Sequence, residues 1–161
     1  MVYVLAAIMW LVPQLGHIKA AEYAKLITFE ARWYRVDPFD VVAIIQIESR
    51  WSTKKKSVTN DYGLMQVHVA RRGSSRFLGR TKELFDPATN IREGVRIYTM
   101  WLNYHEKWCK PDSHDPIAHY KWGKYVKNDE HARRVRSLSS FLARKFRPKK
   151  PAVVAHGIVL R

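Results

Sequence analysis

Glu48 is the first residue whose surroundings suggest chemistry. It follows Val41-Val42-Ala43-Ile44-Ile45-Gln46-Ile47, so its carboxyl group sits beside a largely apolar surface. Loss of water disfavours the charged form of such a group, and the negative C-terminal end of a helix acts in the same direction. A carboxylic acid that keeps its proton near neutral pH can protonate the leaving oxygen of a glycosidic bond. An ordinary ion pair with Arg50 or a nearby lysine would also account for a glutamate at a helix end. A short distance on comes Gly63-Leu64-Met65-Gln66. Glycine permits a tight turn or a close approach of the backbone, Met65 offers an adaptable apolar surface, and Gln66 brings both a donor and an acceptor suited to an acetamido group or a sugar hydroxyl. A turn followed by an edge strand explains the same four residues without a ligand.

The elements that must carry these groups are mostly helices. Segment 20–35 has Tyr23, Leu26, Ile27 and Trp33 or Tyr34 on roughly one side. Asp37-Pro38 is a cap followed by a first-turn proline, which predicts a helix over about 38–50, apolar around much of its circumference and therefore central. The polar stretch from Ser52 to Asn60 reads as a loop and Leu64 to Val69 as an extended segment, with breaks at Gly73 to Ser75 and at Gly79. Asp86-Pro87 opens a helix running to about Trp108, with Ile91, Val95, Tyr98 and Leu102 at helical spacing. Asp115-Pro116 opens a short one to about Trp122, which Gly123 ends, and a last helix covers about 129–146. The fold class expected is mainly α, a single domain with a small extended or β element after the helix that carries Glu48.

The 161 residues suit one domain, and 47% hydrophobic content excludes a disordered chain. The formal charge of +15 calls for an anionic partner: nucleic acid, an anionic membrane or a cell-wall polymer. Lys54-Lys55-Lys56, the group Arg133, Arg134 and Arg136, and the group Arg144, Lys145, Arg147, Lys149 and Lys150 carry much of it. Cys109 is the one cysteine, which excludes intrachain disulfides and zinc sites built on several cysteines; it reads as a bystander near a helix end. Val2 to Val12 is an apolar run of about 11 residues, short for a membrane span and suited to the core of a secretory signal, with cleavage after Ala20. It lacks the usual preceding Lys or Arg, and a first core helix is the alternative. The expected organisation is therefore a signal over 1–20, a catalytic domain over 21–146 and a basic tail over 147–161.

Taken together and in order, these motifs resemble the soluble-type lytic transglycosylases (the SLT domain), which are related to goose-type lysozymes. The matching stretches are Ile47-Glu48-Ser49-Arg50-Trp51, then Asn60 to Val67, then Asn90-Ile91 with Gly94 and Tyr98, then Ile117 to Gly123. At the last, His119 and Lys121 stand where the family has a small Ala and an Asn around Tyr120. The resemblance implies a lysozyme-like fold with Glu48 as single acid/base. It also implies a sugar site drawn from Ser49, Met65, Gln66, Tyr98, Tyr120 and Lys121. The reaction would cleave peptidoglycan between N-acetylmuramic acid and N-acetylglucosamine, leaving 1,6-anhydro ends, with no metal and no cofactor required. The goose-type alternative makes Asp61 a second carboxylate activating water in an inverting muramidase, about 6.5–9.5 Å from Glu48. The other expectations are a monomer exported to the periplasm or cell envelope, drawn to anionic wall or envelope polymers, not to nucleic acid. Wall turnover, a secretion or conjugation apparatus, or a phage would each provide a setting. A non-catalytic wall-binding or nucleic-acid-binding basic helical protein is the reading from another class.

Overall fold

The computed structural model describes residues 1–69, 77, 80–111 and 113–148. The glycine breaks expected at Gly73 to Ser75 and Gly79, and the tail from Lys149 onward, lie outside the described residues. Six α-helices are present among the described residues: α1 (Val2–Leu11), α2 (His17–Tyr34), α3 (Pro38–Glu48), α4 (Pro87–Trp108), α5 (Ala118–Trp122) and α6 (Glu130–Phe146). Between α3 and α4 lie two short strands, β1 (Asp61–Tyr62) and β2 (Val67–His68), and a 3-10 turn over Thr81–Phe85.

Two of the Asp-Pro steps cap their helices as the sequence predicts, and the third, at Asp115, braces the turn ahead of α5. Asp37 accepts from the Phe39 N–H at 2.9 Å and Asp86 from the Thr89 N–H at 2.8 Å. Asp115 accepts from the Ile117 N–H at 2.8 Å, one residue before α5 begins. Each satisfies a backbone donor that would otherwise lack a partner. α3 is the central helix. Val41, Val42, Ala43, Ile44 and Ile45 are fully buried, and α1, α2 and α6 all pack against it. Burying each of its larger side chains contributes about 1.5–3 kcal/mol.

A polar cluster sits within this core around Asp40. Asp40 of α3 accepts from Tyr98 Oη at 2.9 Å, Ser139 Oγ at 2.6 Å and Arg136 Nη1 at 3.1 Å. Arg136 reaches on to Asp115 through Nε at 2.9 Å. The cluster joins α3, α4, α6 and the turn before α5. Arg136, counted by the sequence in a basic group, is thus half-exposed and ion-paired to Asp40 and Asp115. Its cationic form is favoured even against burial, because Asp115 and Asp40 hold it.

The residues on either side of Ala20 pack together in this fold. Ala20 is fully buried inside α2, and the apolar run before it forms α1, with Val4, Ala7 and Ile8 in the core. α1 packs on α2, α3 and α6, and its Trp10 ring lies 5.2 Å from Phe141 and 6.3 Å from Phe146. Arg147, expected to begin a free tail, is hydrogen-bonded to Asp37. No helix among the described residues is long and apolar enough to cross a membrane.

The extended segment is shorter than expected. β1 and β2 pair antiparallel with Asp61 opposite His68 and Tyr62 opposite Val67. Leu64 to Gln66 form the turn instead of continuing a strand, because Gly63 (φ 75°) and Gln66 (φ 49°) both adopt left-handed backbone. Gly63 is obligatory on space as well: a Cβ there would come within 2.2 Å of Asn90 Nδ2 and 2.3 Å of the Leu84 carbonyl.

Candidate active site

A cleft of about 420 Å³ opens between the β1–β2 hairpin, α4 and α5, with the end of α3 at one side. Glu48 lines it from α3. Asp61, Gln66, Val67 and His68 line it from the hairpin, Ile97 and Trp101 from α4, and Tyr120, Lys121 and Trp122 from α5. The cleft therefore gathers Glu48, Asp61, Gln66, Tyr120 and Lys121 from the residues that the sequence singled out.

Glu48 is the last residue of α3, and its side chain is 11% exposed. Among the described residues neither Arg50 nor a lysine pairs with its carboxylate, as the alternative had allowed. Lys55 instead donates to the Glu48 backbone carbonyl, one of the unpaired acceptors at the helix end. The carboxylate meets His131, at the start of α6, whose Nε2 lies 2.8 Å from Oε1. The ring is equally buried, and neither of its nitrogens has a well-aligned hydrogen bond, so the contact is one of charge and packing. Sequence reasoning missed His131. It stands in the first turn of α6, and no local pattern links it to Glu48.

The hairpin wall is held by Asn90, 1% exposed on the first turns of α4. Its Nδ2 donates to the carbonyls of Tyr62 (2.7 Å) and Leu84 (2.8 Å), and its Oδ1 accepts from the Met65 N–H at 2.7 Å. That arrangement fixes Gln66, whose Nε2 donates to the Gly63 carbonyl at 3.0 Å and to the Lys55 carbonyl at 3.2 Å. Asp61 accepts from Ser57 and Thr59 hydroxyls at 2.6 Å each and from His68 Nδ1 at 2.7 Å. Burial would raise its pKa, but these three donors outweigh burial and hold the carboxyl below the ordinary aspartate value.

On the opposite wall Tyr120 donates from Oη to the Met65 carbonyl at 2.8 Å. Burial and the charges of Glu48 and Asp61 push its phenol well above the ordinary tyrosine value, so it remains a donor at any physiological pH. Trp122 also lines the cleft, with its Nε1 buried and without a hydrogen-bond partner among the described residues.

Three residues expected to touch sugar do not line the cleft. Tyr98 is 1% exposed, hydrogen-bonded to Asp40, and packed edge-on behind Tyr120 at 6.1 Å. Met65 is fully buried against Gly94, where an added Cβ would fall 2.4 Å from Met65 Sδ. Ser49 is buried too, with Oγ bonded to the Ile45 carbonyl and accepting from the Trp51 N–H, both at 3.1 Å. All three support the walls instead of forming them. Among the described residues, one group of side chains is spaced to hold a metal ion, and its members lie outside this cleft.

A mainly helical chain with a buried carboxyl at the end of its central helix, facing a cleft walled by a small hairpin and aromatic rings, is a lysozyme-like domain. The chain belongs to the transglycosylase SLT domain family, whose pattern matches residues 25–136. It is similar to membrane-bound lytic murein transglycosylase C of Mannheimia succiniciproducens, 34% identical over 93 residues, covering 53% of this chain and 26% of that protein. The proteins of the same name from Haemophilus influenzae strain PittGG and Histophilus somni strain 2336 are 36% and 37% identical over 92 and 90 residues. Those matches cover 53% and 52% of this chain and 25% of each relative. The chain thus spans about a quarter of the length of these relatives. No solved structure matches it.

Proposed function

We propose that this domain cleaves the β-1,4 bond between N-acetylmuramic acid and N-acetylglucosamine in peptidoglycan without water, leaving 1,6-anhydro ends. The observation that carries the proposal is Glu48, a nearly buried carboxyl at the wall of an open, aromatic-lined cleft in a transglycosylase SLT domain. Glu48 donates its proton to the glycosidic oxygen as the bond from C1 breaks. The substrate's acetamido oxygen stabilises C1, the known exception to the need for a second protein carboxylate. The ionised Glu48 then takes the proton of the C6 hydroxyl as O6 bonds to C1, which restores the acid.

Gln66, whose amide hydrogens are committed to the Gly63 and Lys55 carbonyls, offers its amide oxygen to N–H and O–H groups of the strand, and Lys121 offers an ammonium to its carboxylates. His131 holds the Glu48 carboxylate in place. Asp61 is the competing reading, as the base of a water-dependent muramidase. Its two oxygens already serve three donors and its carboxyl is held below the ordinary value, which leaves it a weak base. The chain's +15 charge supports a location in the envelope, against anionic wall polymers.

The test is digestion of purified peptidoglycan followed by mass analysis of the fragments. Anhydro ends are expected from the wild-type chain and from Asp61→Asn. Glu48→Gln should slow release by about 10²–10⁴-fold, the usual scale for a lost general acid. Reducing ends, lost in Asp61→Asn, would replace this reading with the hydrolytic one.

A further inference from the structure

His119 of α5 is a residue that the cleft makes no use of. It is fully buried. Around it stand His105 and Cys109 at the C-terminal end of α4, and His114 in the turn before α5. One ligand-capable atom from each of the four lies within 4.8 Å of the others. We propose that these four side chains form a structural Zn²⁺ site.

The donor set is three imidazoles and one thiol, which suits zinc among the common divalent ions. Bonds of about 2.0–2.1 Å to nitrogen and 2.3 Å to sulfur at tetrahedral angles place neighbouring ligand atoms about 3.3–3.6 Å apart. Cys109 Sγ lies 3.4 Å from His119 Nε2, and His114 Nε2 lies 2.9 Å from the same nitrogen. Small outward shifts of the imidazoles complete the tetrahedron.

Two further observations point to a ligand. His105 is 6% exposed and its Nε2 is buried with no hydrogen-bond partner, an arrangement that costs about 1–3 kcal/mol if nothing occupies the centre. His119 Nδ1 lies 2.7 Å from the Gly123 carbonyl, which can only accept. The proton therefore sits on Nδ1 and the Nε2 lone pair faces the cluster, which is how outer partners orient metal-binding histidines. On binding, the Cys109 thiol releases its proton to solvent and joins as thiolate.

The site ties the end of α4 to α5. Residues 120–123, which follow directly on His119, form one wall of the cleft, and His119 stacks on Trp101 of the same wall at 5.4 Å. Zinc would hold that wall in register without touching the substrate. The proposal stands apart from the reading of the cleft, because its measurements do not depend on cleavage.

The test uses the full chain, stripped of metal and titrated with Zn²⁺ against a chromogenic chelator, then with Co²⁺ as a spectroscopic probe. One Zn²⁺ per chain is expected, with a higher unfolding temperature on loading. Co²⁺ should give the strong visible bands of a tetrahedral site and a thiolate charge-transfer band. Cys109→Ser should lose the charge-transfer band and bind Zn²⁺ at least about 100-fold more weakly, beyond what loss of an outer partner alone causes. His114→Ala, half-buried and tolerable to the fold by circular dichroism, should weaken binding similarly. Failure of the wild-type chain to take Zn²⁺ from the chelator would overturn the proposal. So would Cys109→Ser binding as tightly as wild type.

Discussion

Replacing Asn90 with alanine tests whether the hairpin wall is organised as described. The substitution removes one side chain and strands three backbone groups: the Tyr62 and Leu84 carbonyls and the Met65 N–H. Leu84 and Met65 are fully buried and Tyr62 is 8% exposed, so water reaches none of these groups easily. An unsatisfied buried group costs about 1–3 kcal/mol, which sets a ceiling near 9 kcal/mol for the three. Partial relaxation and entry of a water lower the expected loss to about 3–5 kcal/mol. A domain of this size has about 5–15 kcal/mol in total, so the variant should still fold but with a visibly lower midpoint. Urea unfolding followed by tryptophan fluorescence measures the loss directly. Asn90→Asp is the companion. It keeps an acceptor for the Met65 N–H and sets a second oxygen against two carbonyls, so it should be at least as damaging. A loss below about 1 kcal/mol for Asn90→Ala would show that the three contacts do not organise the wall, and the account of Gln66 would fall with them.

Two further outcomes follow from the same geometry. Asp61 is held below its unfolded value of about 3.9, so the stability it contributes is complete above that pH and is lost as the pH falls through the lower folded value. Asp61→Asn should therefore cost about 1–2 kcal/mol at pH 7, allowing for its partial exposure, with the gap closing below about pH 4; urea curves at pH 7 and pH 3 would contradict this if the gap stayed constant. His131→Gln should lower kcat on peptidoglycan by about 10–100-fold, equivalent to about 1.4–2.8 kcal/mol, while leaving KM and the unfolding midpoint nearly unchanged. An unaltered kcat would remove His131 from any part in positioning Glu48.

The parts of the molecule legible in sequence are those with local causes. Asp37 and Asp86 cap their helices, and Asp115 braces the turn before α5, because each side chain reaches a backbone N–H two or three residues on. Gly63 had to turn, and α3 had to be central, since nothing else could bury so apolar a helix. The errors come from facing and distance. Tyr98, Met65 and Ser49 stand beside the site in the sequence motifs, but a motif does not tell which side of a wall a residue occupies. His131 reaches Glu48 only because α6 folds back across α3, through contacts that no local spacing records. The grouping of Cys109 with His105, His114 and His119 was likewise not legible, because their spacings are unlike those of paired-cysteine zinc motifs. The apolar run at residues 2–12 illustrates a genuine degeneracy: a short hydrophobic helix satisfies the requirements of an export signal and of a core equally well.

The placement of α6 has a consequence for the order of events during synthesis. The last helix supplies both the histidine at Glu48 and two of the three donors to Asp40, and it covers α3 and α1. Roughly 80 residues separate Glu48 from His131, so at about 5–20 residues per second the ribosome needs several seconds more to finish the site after making its acid. During that interval Asp40 lacks Ser139 and Arg136, and the apolar α3 lacks its cover. A nascent or prematurely terminated chain should accordingly be inert towards the wall and a ready client for chaperones. On the proposed reading of Glu48, the acid gains its histidine neighbour only once α6 has been made, a delay written into the order of the chain.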